Sequence, residues 1–194
     1  MTTHHAGIPP VALVVAQYNA SITHALRDGA VEAYAAAGGD RGGLIVVEAP
    51  GAFELPVLSA AAARSGRCAG VVALGCLIEG ETTHADHIAN AVANGLVQVG
   101  LQTGVPVTFG LLTVATVEQA RARAGGGEGN KGAEAMQALL ETLAATAALS
   151  RGETGERSTA AKPDKAAAVS GPALPSSQPG KGTAGTKRPP TPGR

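Results

Sequence analysis

The chain has 194 residues, enough for one domain and a tail, and its formal charge of zero conceals two unlike parts. Residues 1–149 carry 7 basic and 12 acidic side chains, whereas residues 150–194 carry 8 basic and 3 acidic ones. No apolar run reaches the roughly 18–20 residues of a membrane helix, no stretch has the layout of a signal peptide, and Cys68 and Cys76 are too few for a disulfide scaffold or a CxxC-type zinc site, so a reducing cytoplasm is the expected compartment.

The first ten residues read as an arm, with Pro9–Pro10 excluding a helix and His4–His5 read as solvated. Val11–Gln17 is a short apolar run, a buried strand. Asn19 and Ser21 are helix-capping types ahead of Ile22–Ala37, whose apolar spacing is helical until Gly38–Gly39. Leu44–Glu48 is a second strand, and Phe53–Arg64 a helix of small residues. Gly70–Ile78 is a third strand, followed by a helix over His84–Thr103 with Gly104 past its end. Val105–Thr113 is a fourth strand, and Thr116–Arg123 a short helix. The Gly-rich run GGGEGNKG reads as a flexible loop before a last helix over Gly132–Leu149. Four apolar strands alternating with helices predict an open, doubly wound α/β sheet: four parallel strands with helices on both faces. A sheet that small, with an Ala-rich core, predicts burial in an oligomer. From Ser150 onward Pro, Gly, Ala and charge dominate, and the segment reads as a disordered basic tail.

Ligands of such sheets bind beyond the carboxyl ends of the strands. Tyr18, Asn19 and Ser21 follow the first strand, Ala52, Phe53 and Glu54 the second, and the run 75–86 (GCLIEGETTHAD) the third. With Phe109 in the fourth strand, three of only four aromatics are expected on or near one rim; Phe53 and Phe109 read equally well as core. The segment Gly80–His84 opens a helix, where free backbone amides suit an anion and a neighbouring histidine could move protons. The same residues also read as a plain helix cap with a solvated histidine. His84 and His87 share a helical face but lack a third ligand, so no metal is expected. Gly127–Gly132 satisfies GxGxxG without following a strand directly, so it is not read as a dinucleotide site. Arg123 and Lys131 flank that loop and suit a phosphate, or are simply solvated.

Taken together, these motifs resemble the 6,7-dimethyl-8-ribityllumazine synthase family over about Val11–Leu149. The likeness rests on Tyr18–Asn19, PGAFELP at 50–56, GCLIEGETTHAD at 75–86, the spacing of Asn90, Ala91, Gly95 and Leu96, GVPVTFGLLT at 104–113, EQARARAG at 118–125 and GNKG at 129–132. It implies a flavodoxin-like fold and condensation of 5-amino-6-(D-ribitylamino)uracil with 3,4-dihydroxy-2-butanone 4-phosphate, releasing phosphate and water without metal or redox cofactor. By the resemblance, Tyr18 stacks on the pyrimidinedione ring with Asn19 and Ser21 beside it. Ala52, Phe53 and Glu54 hold the ribityl chain, and Leu77 and Ile78 meet the ring through their backbone. Glu81 and Thr82 donate to the phosphate of the second substrate, and His84 moves protons. Phe109, Arg123 and Lys131 are implied to come from a neighbouring subunit, with Arg123 on the phosphate.

Departures from the family pattern are Ala85 for an aromatic, Thr83 for Pro, Glu79 for a basic residue and Gln17 for Arg. A flavin- or lumazine-binding protein that lost the chemistry is therefore the competing expectation. The resemblance also implies pentamers, alone or as a 60-subunit shell, with association with riboflavin synthase a further partner to consider. The uninserted stretch from Arg123 to Gly132 leans toward the shell. The tail has cations but no aromatic platform, so nucleic-acid binding is not expected.

Overall fold

The structure, a computed structural model, describes residues 7–152. Strands β1 (Val11–Ala16), β2 (Leu44–Ala49), β3 (Gly70–Ile78) and β4 (Val107–Val114) form one parallel sheet in the order β2-β1-β3-β4. Val11 pairs with Leu44 on one side and Gly70 on the other, and Val71 pairs with Val107. The connecting helices are α1 (Ala20–Ala36), α2 (Leu55–Arg64), α3 (His84–Thr103), α4 (Val117–Arg123) and α5 (Lys131–Ser150). Among the described residues, none of these helices is long and apolar enough to cross a membrane.

The period of two along each strand divides the core into two layers. Val11, Leu13 and Val15 of β1 join Val72, Leu74 and Cys76 of β3 in a cluster with Leu26, Met136 and Leu139 from α1 and α5. Ala12, Val14 and Ala16 point the other way, with Val71 and Ala73, onto Leu55 of α2 and Val92 and Leu96 of α3. All six residues of β1 are buried, which is why it reads as an unbroken apolar run rather than an alternating one. Each buried Val or Leu contributes roughly 1.5–3 kcal/mol, so this central strand anchors both layers. Tyr34 is the one aromatic in the core; its hydroxyl donates to the Pro9 carbonyl at 3.0 Å and fixes the entry into β1.

The expected α/β sheet with helices on both faces is present, with local differences. The fourth strand begins at Val107, because Pro106 has no N–H for the ladder; its carbonyl instead accepts from Val71 N at 2.9 Å. The helix expected from Phe53 splits into a 3-10 turn, Ala52–Glu54, and then α2, whose first turn accommodates Pro56. Asn19 precedes α1 but does not cap it with its side chain, and Ser21 lies inside the first turn. The Gly-rich run is not a loop: Ala124–Gly126 (β5) and Gly129–Asn130 (β6) pair as a small antiparallel ribbon. α3 spans His84–Thr103 and ends at Gly104 in the left-handed region (φ 72°), as the sequence predicts. The readings of His4–His5 and of the tail beyond Gly152 lie outside the described residues.

Candidate active site

The sheet order changes direction between β1 and β3: β2 lies to one side of β1, while β3 and β4 lie to the other. The two chains leaving β1 and β3 therefore diverge, and a crevice opens at their carboxyl ends. A concavity of about 560 Å³ occupies this place. Tyr18 and Asn19 from the end of β1 line it, together with Gly51–Glu54 after β2, Cys76–Ile78 at the end of β3, and Gly80, Thr82, His84, Ala85 and Ile88 around the start of α3.

Each wall follows from local structure. Asn19 turns the chain with φ 58°, the only positive φ outside glycine among the described residues, and leaves Tyr18 76% exposed. The 3-10 turn presents Phe53 at 63% exposure, and the Glu54 carboxylate folds over the Gly51 backbone, leaving 3.1 Å to where a Cβ would stand. Large exposed rings cost apolar hydration, so Tyr18 and Phe53 are not core residues; their rings stand ready for an apolar, flat partner. Glu79 N donates to Val114 O at 2.8 Å and extends the ladder past β3 before the chain turns. Thr83 precedes α3 without a side-chain cap; its hydroxyl lies 3.3 Å from His87 Nε2 instead. The first amides of α3 thus have no side-chain acceptor, and the positive end of the helix faces the crevice beside His84. His87 is engaged by Thr83 rather than paired with His84, and no group of three metal-ligating side chains occurs among the described residues.

Phe109, Arg123 and Lys131 are not in this concavity. They line a second one of about 430 Å³, along β4 and against α5, with Glu134, Ala135 and Ala138. The expectation of three aromatics on one rim is therefore corrected. Phe109 pairs with Ala73 near the start of β4, an edge strand, and is 48% exposed there. Position within the strand, not its carboxyl end, decides where Phe109 stands. Arg123 Nη1 donates to Gln119 O at 3.2 Å, and Lys131 Nζ contacts both Glu134 oxygens at 2.9 and 2.7 Å. The ribbon that carries these cations is fixed by Asn130. Its Nδ2 donates to Ala25 O of α1 at 2.9 Å, while its Oδ1 accepts from Gly132 N and Ala133 N at 2.9 and 3.2 Å and caps α5.

The structure thus gathers Tyr18, Asn19, Ala52, Phe53, Glu54, Leu77, Ile78, Thr82 and His84 at the crevice and sets Phe109, Arg123 and Lys131 apart. Ser21 and Glu81 are exposed and line neither concavity. Sequence reasoning missed Ile88 as a wall of the crevice and Glu134 as the partner of Lys131. Both follow helical spacing, at i+4 from His84 and i+3 from Lys131. Cys76 borders the crevice, but burial pushes its thiol up to about 11, and burial also raises Cys68, so neither supplies a thiolate near neutral pH.

Residues 9–147 match the family model described as 6,7-dimethyl-8-ribityllumazine synthase. The 6,7-dimethyl-8-ribityllumazine synthase of Thermus thermophilus is 45% identical over 141 residues, covering 73% of this chain and 90% of that protein. The 6,7-dimethyl-8-ribityllumazine synthase 1 of Caulobacter vibrioides is 47% identical over 137 residues, covering 70% and 90%. The counterpart from Xanthomonas oryzae pv. oryzae is 45% identical over 146 residues, covering 73% and 95%.

Proposed function

The chain belongs to the 6,7-dimethyl-8-ribityllumazine synthase family of riboflavin-biosynthesis enzymes, and from that premise we propose that it condenses 5-amino-6-(D-ribitylamino)uracil with 3,4-dihydroxy-2-butanone 4-phosphate. The observation that carries this reading is the crevice at the sheet's switch point, where exposed rings, a carboxylate and a histidine at an uncapped helix start surround one cavity. Tyr18 stacks on the pyrimidinedione, and the main chain of Leu77 and Ile78 pairs with the ring edge. Ala52 to Glu54 receive the ribityl chain, with the Glu54 carboxylate accepting from its hydroxyls. Thr82, with Glu81 through its backbone N–H, and the first amides of α3 take the phosphate.

The substrate brings its own nucleophile. Its 5-amino group attacks the ketone carbon, and loss of water leaves an imine. His84, beside the phosphate end, takes a proton from the carbon chain so that phosphate leaves by elimination. Elimination leaves an enol, which tautomerises to a new ketone at the carbon next to the imine; the ribityl-bearing nitrogen attacks that carbonyl, and a second dehydration closes the ring. Holding both reactants in place contributes roughly 7–11 kcal/mol to lowering the barrier, and one proton shuttle about 10²–10⁴-fold, so no strong nucleophile is needed from the chain. The buried, protonated thiols of Cys68 and Cys76 accord with that.

Phe109, Arg123 and Lys131 complete the site from a neighbouring copy. Their separation from the crevice within one protomer supports a site shared across an interface, as does the exposure of Phe109 on an edge strand. A ring of identical subunits satisfies this, and the short β5–β6 ribbon suits pentamers that assemble further into a shell. Riboflavin synthase is a candidate partner, and the cytoplasm is the proposed compartment.

The test mixes the protein with both substrates and follows phosphate release and lumazine fluorescence; no turnover above the uncatalysed background overturns the reading. Sharing of the site is tested by dissociating and reassembling His84→Ala with Arg123→Ala subunits. Mixed rings contain some intact interfaces and regain part of the activity, whereas a site confined to one protomer regains none.

A further inference from the structure

We propose that Asn19 is a positioning residue, whose side chain holds the mouth of the crevice at the width a stacked pyrimidinedione needs. The β1–β3 ladder stops at Val15 and Leu74, whereas the β1–β2 side continues to Ala16 and Ala49 and on to a bond from Gln17 N to Ala49 O at 2.8 Å. Beyond Leu74 the register pairs no further residue of β3 with β1. The Asn19 side chain makes the link there instead: its Nδ2 donates to the Cys76 carbonyl at 3.0 Å, across 57 residues of sequence. It does so from the left-handed region, at φ 58°.

Two features separate this role from a turn or a cap. Glycine would adopt that backbone without steric cost, so the turn alone does not call for a side chain. Nor does Asn19 cap α1, the usual work of an asparagine at that position, since it makes no side-chain bond to the helix. Its amide is committed to β3. Tyr18, the exposed neighbour, has its backbone direction set by this fixed turn, while Leu77, the residue after the accepting carbonyl, forms the opposite wall. The bond therefore sets the distance between the stacking ring and the main chain that pairs with the ring edge.

The inference rests on the proposed activity, and the test separates the two. Asn19→Gly keeps the turn and removes the bond. Asn19→Asp keeps the size and tolerates the turn but offers no donor to the carbonyl. In the full-length protein both variants are expected to weaken binding of 6,7-dimethyl-8-ribityllumazine, read by its fluorescence, about 3- to 10-fold, the range one hydrogen bond supports. The KM for the pyrimidinedione should rise by the same factor, with the KM for the butanone phosphate unchanged. Wild-type affinity in either variant, or an equal rise in both KM values, overturns the proposal. Wild-type protein that binds the lumazine without turnover fails the activity reading alone, because the Kd ratio still decides the role of Asn19. Protein that does neither overturns both.

Discussion

Gly29→Ala is expected to destabilise the protein, yet to stabilise it once Asn130 is also replaced by alanine. Gly29 sits inside α1, where glycine is poorer than alanine by about 1 kcal/mol, so something must favour the smaller residue. A Cβ built there would overlap the Asn130 side-chain amide, which supplies the three nearest atoms. That amide cannot swing away freely, because it donates to Ala25 O and accepts from Gly132 N and Ala133 N. Displacing it sacrifices a helix cap worth about 1 kcal/mol and a side-chain bond of similar size. Set against the propensity gain, Gly29→Ala should cost about 1 kcal/mol net, more if the backbone must shift, and Asn130→Ala alone about 2 kcal/mol. In the Asn130→Ala background the obstacle is gone, and Gly29→Ala should restore up to about 1 kcal/mol. The assay is a double-mutant cycle in urea at fixed protein concentration, since association alters apparent stability. Additive effects within about 0.5 kcal/mol would refute the reasoning, since neighbours in contact must couple.

Arg123→Ala should raise the KM for the butanone phosphate far more than that for the pyrimidinedione, and equal effects in steady-state kinetics would remove it from the phosphate. His84→Ala should slow turnover about 10²–10⁴-fold with lumazine affinity retained, as measured by product fluorescence. For Cys76, the folded thiol titrates near 11 against an ordinary value of 9.0. Its stabilising contribution is complete below pH 9 and is lost as pH rises toward 11, because the unfolded thiol ionises first. The urea midpoint of wild-type protein should therefore fall more steeply between pH 9 and 11 than that of Cys76→Ala. Removing residues 153–194 should leave kcat/KM unchanged, because the described residues that line the two concavities lie between Tyr18 and Ala138.

The parallel sheet was legible because its central strands, β1 and β3, are buried on both faces for most of their length and so appear as apolar runs, and α3 was placed to the residue by Gly104 and the run that precedes it. The crevice was legible from the rule for doubly wound sheets, which places Tyr18, Phe53 and His84 together though 66 positions separate the first from the last. Three features escaped for physical reasons. Alternation along a strand does not reveal whether it lies at an edge, so Phe109 read equally well as rim or core. Asparagine before a helix reads as a cap, because the local bond is the only one a sequence displays; the carbonyl that Asn19 reaches is 57 residues away. The Gly-rich ribbon failed similarly, since pairing between Ala124 and Asn130 offers no apolar pattern to read.

Both halves of the proposed site are fastened to one helix. α1 begins at the Tyr18–Asn19 turn, and its second turn offers the Ala25 carbonyl that holds Asn130 and, through it, the ribbon between Arg123 and Lys131. If a neighbouring copy supplies the second half, each protomer takes part in two different sites, and α1 sets the spacing between its two contributions. Mispositioning at one end of such a rigid element cannot be absorbed locally, because the helix packs against α5 and buries Leu26, Ala30 and Tyr34 in the core. Small, exactly spaced residues at Gly29 and Gly132 then follow from the same demand: they let the ribbon and the start of α5 lie directly on the backbone of α1. A larger residue at either position should move Arg123 and Lys131 together, raising the KM for the phosphate substrate while leaving the crevice that binds the pyrimidinedione intact.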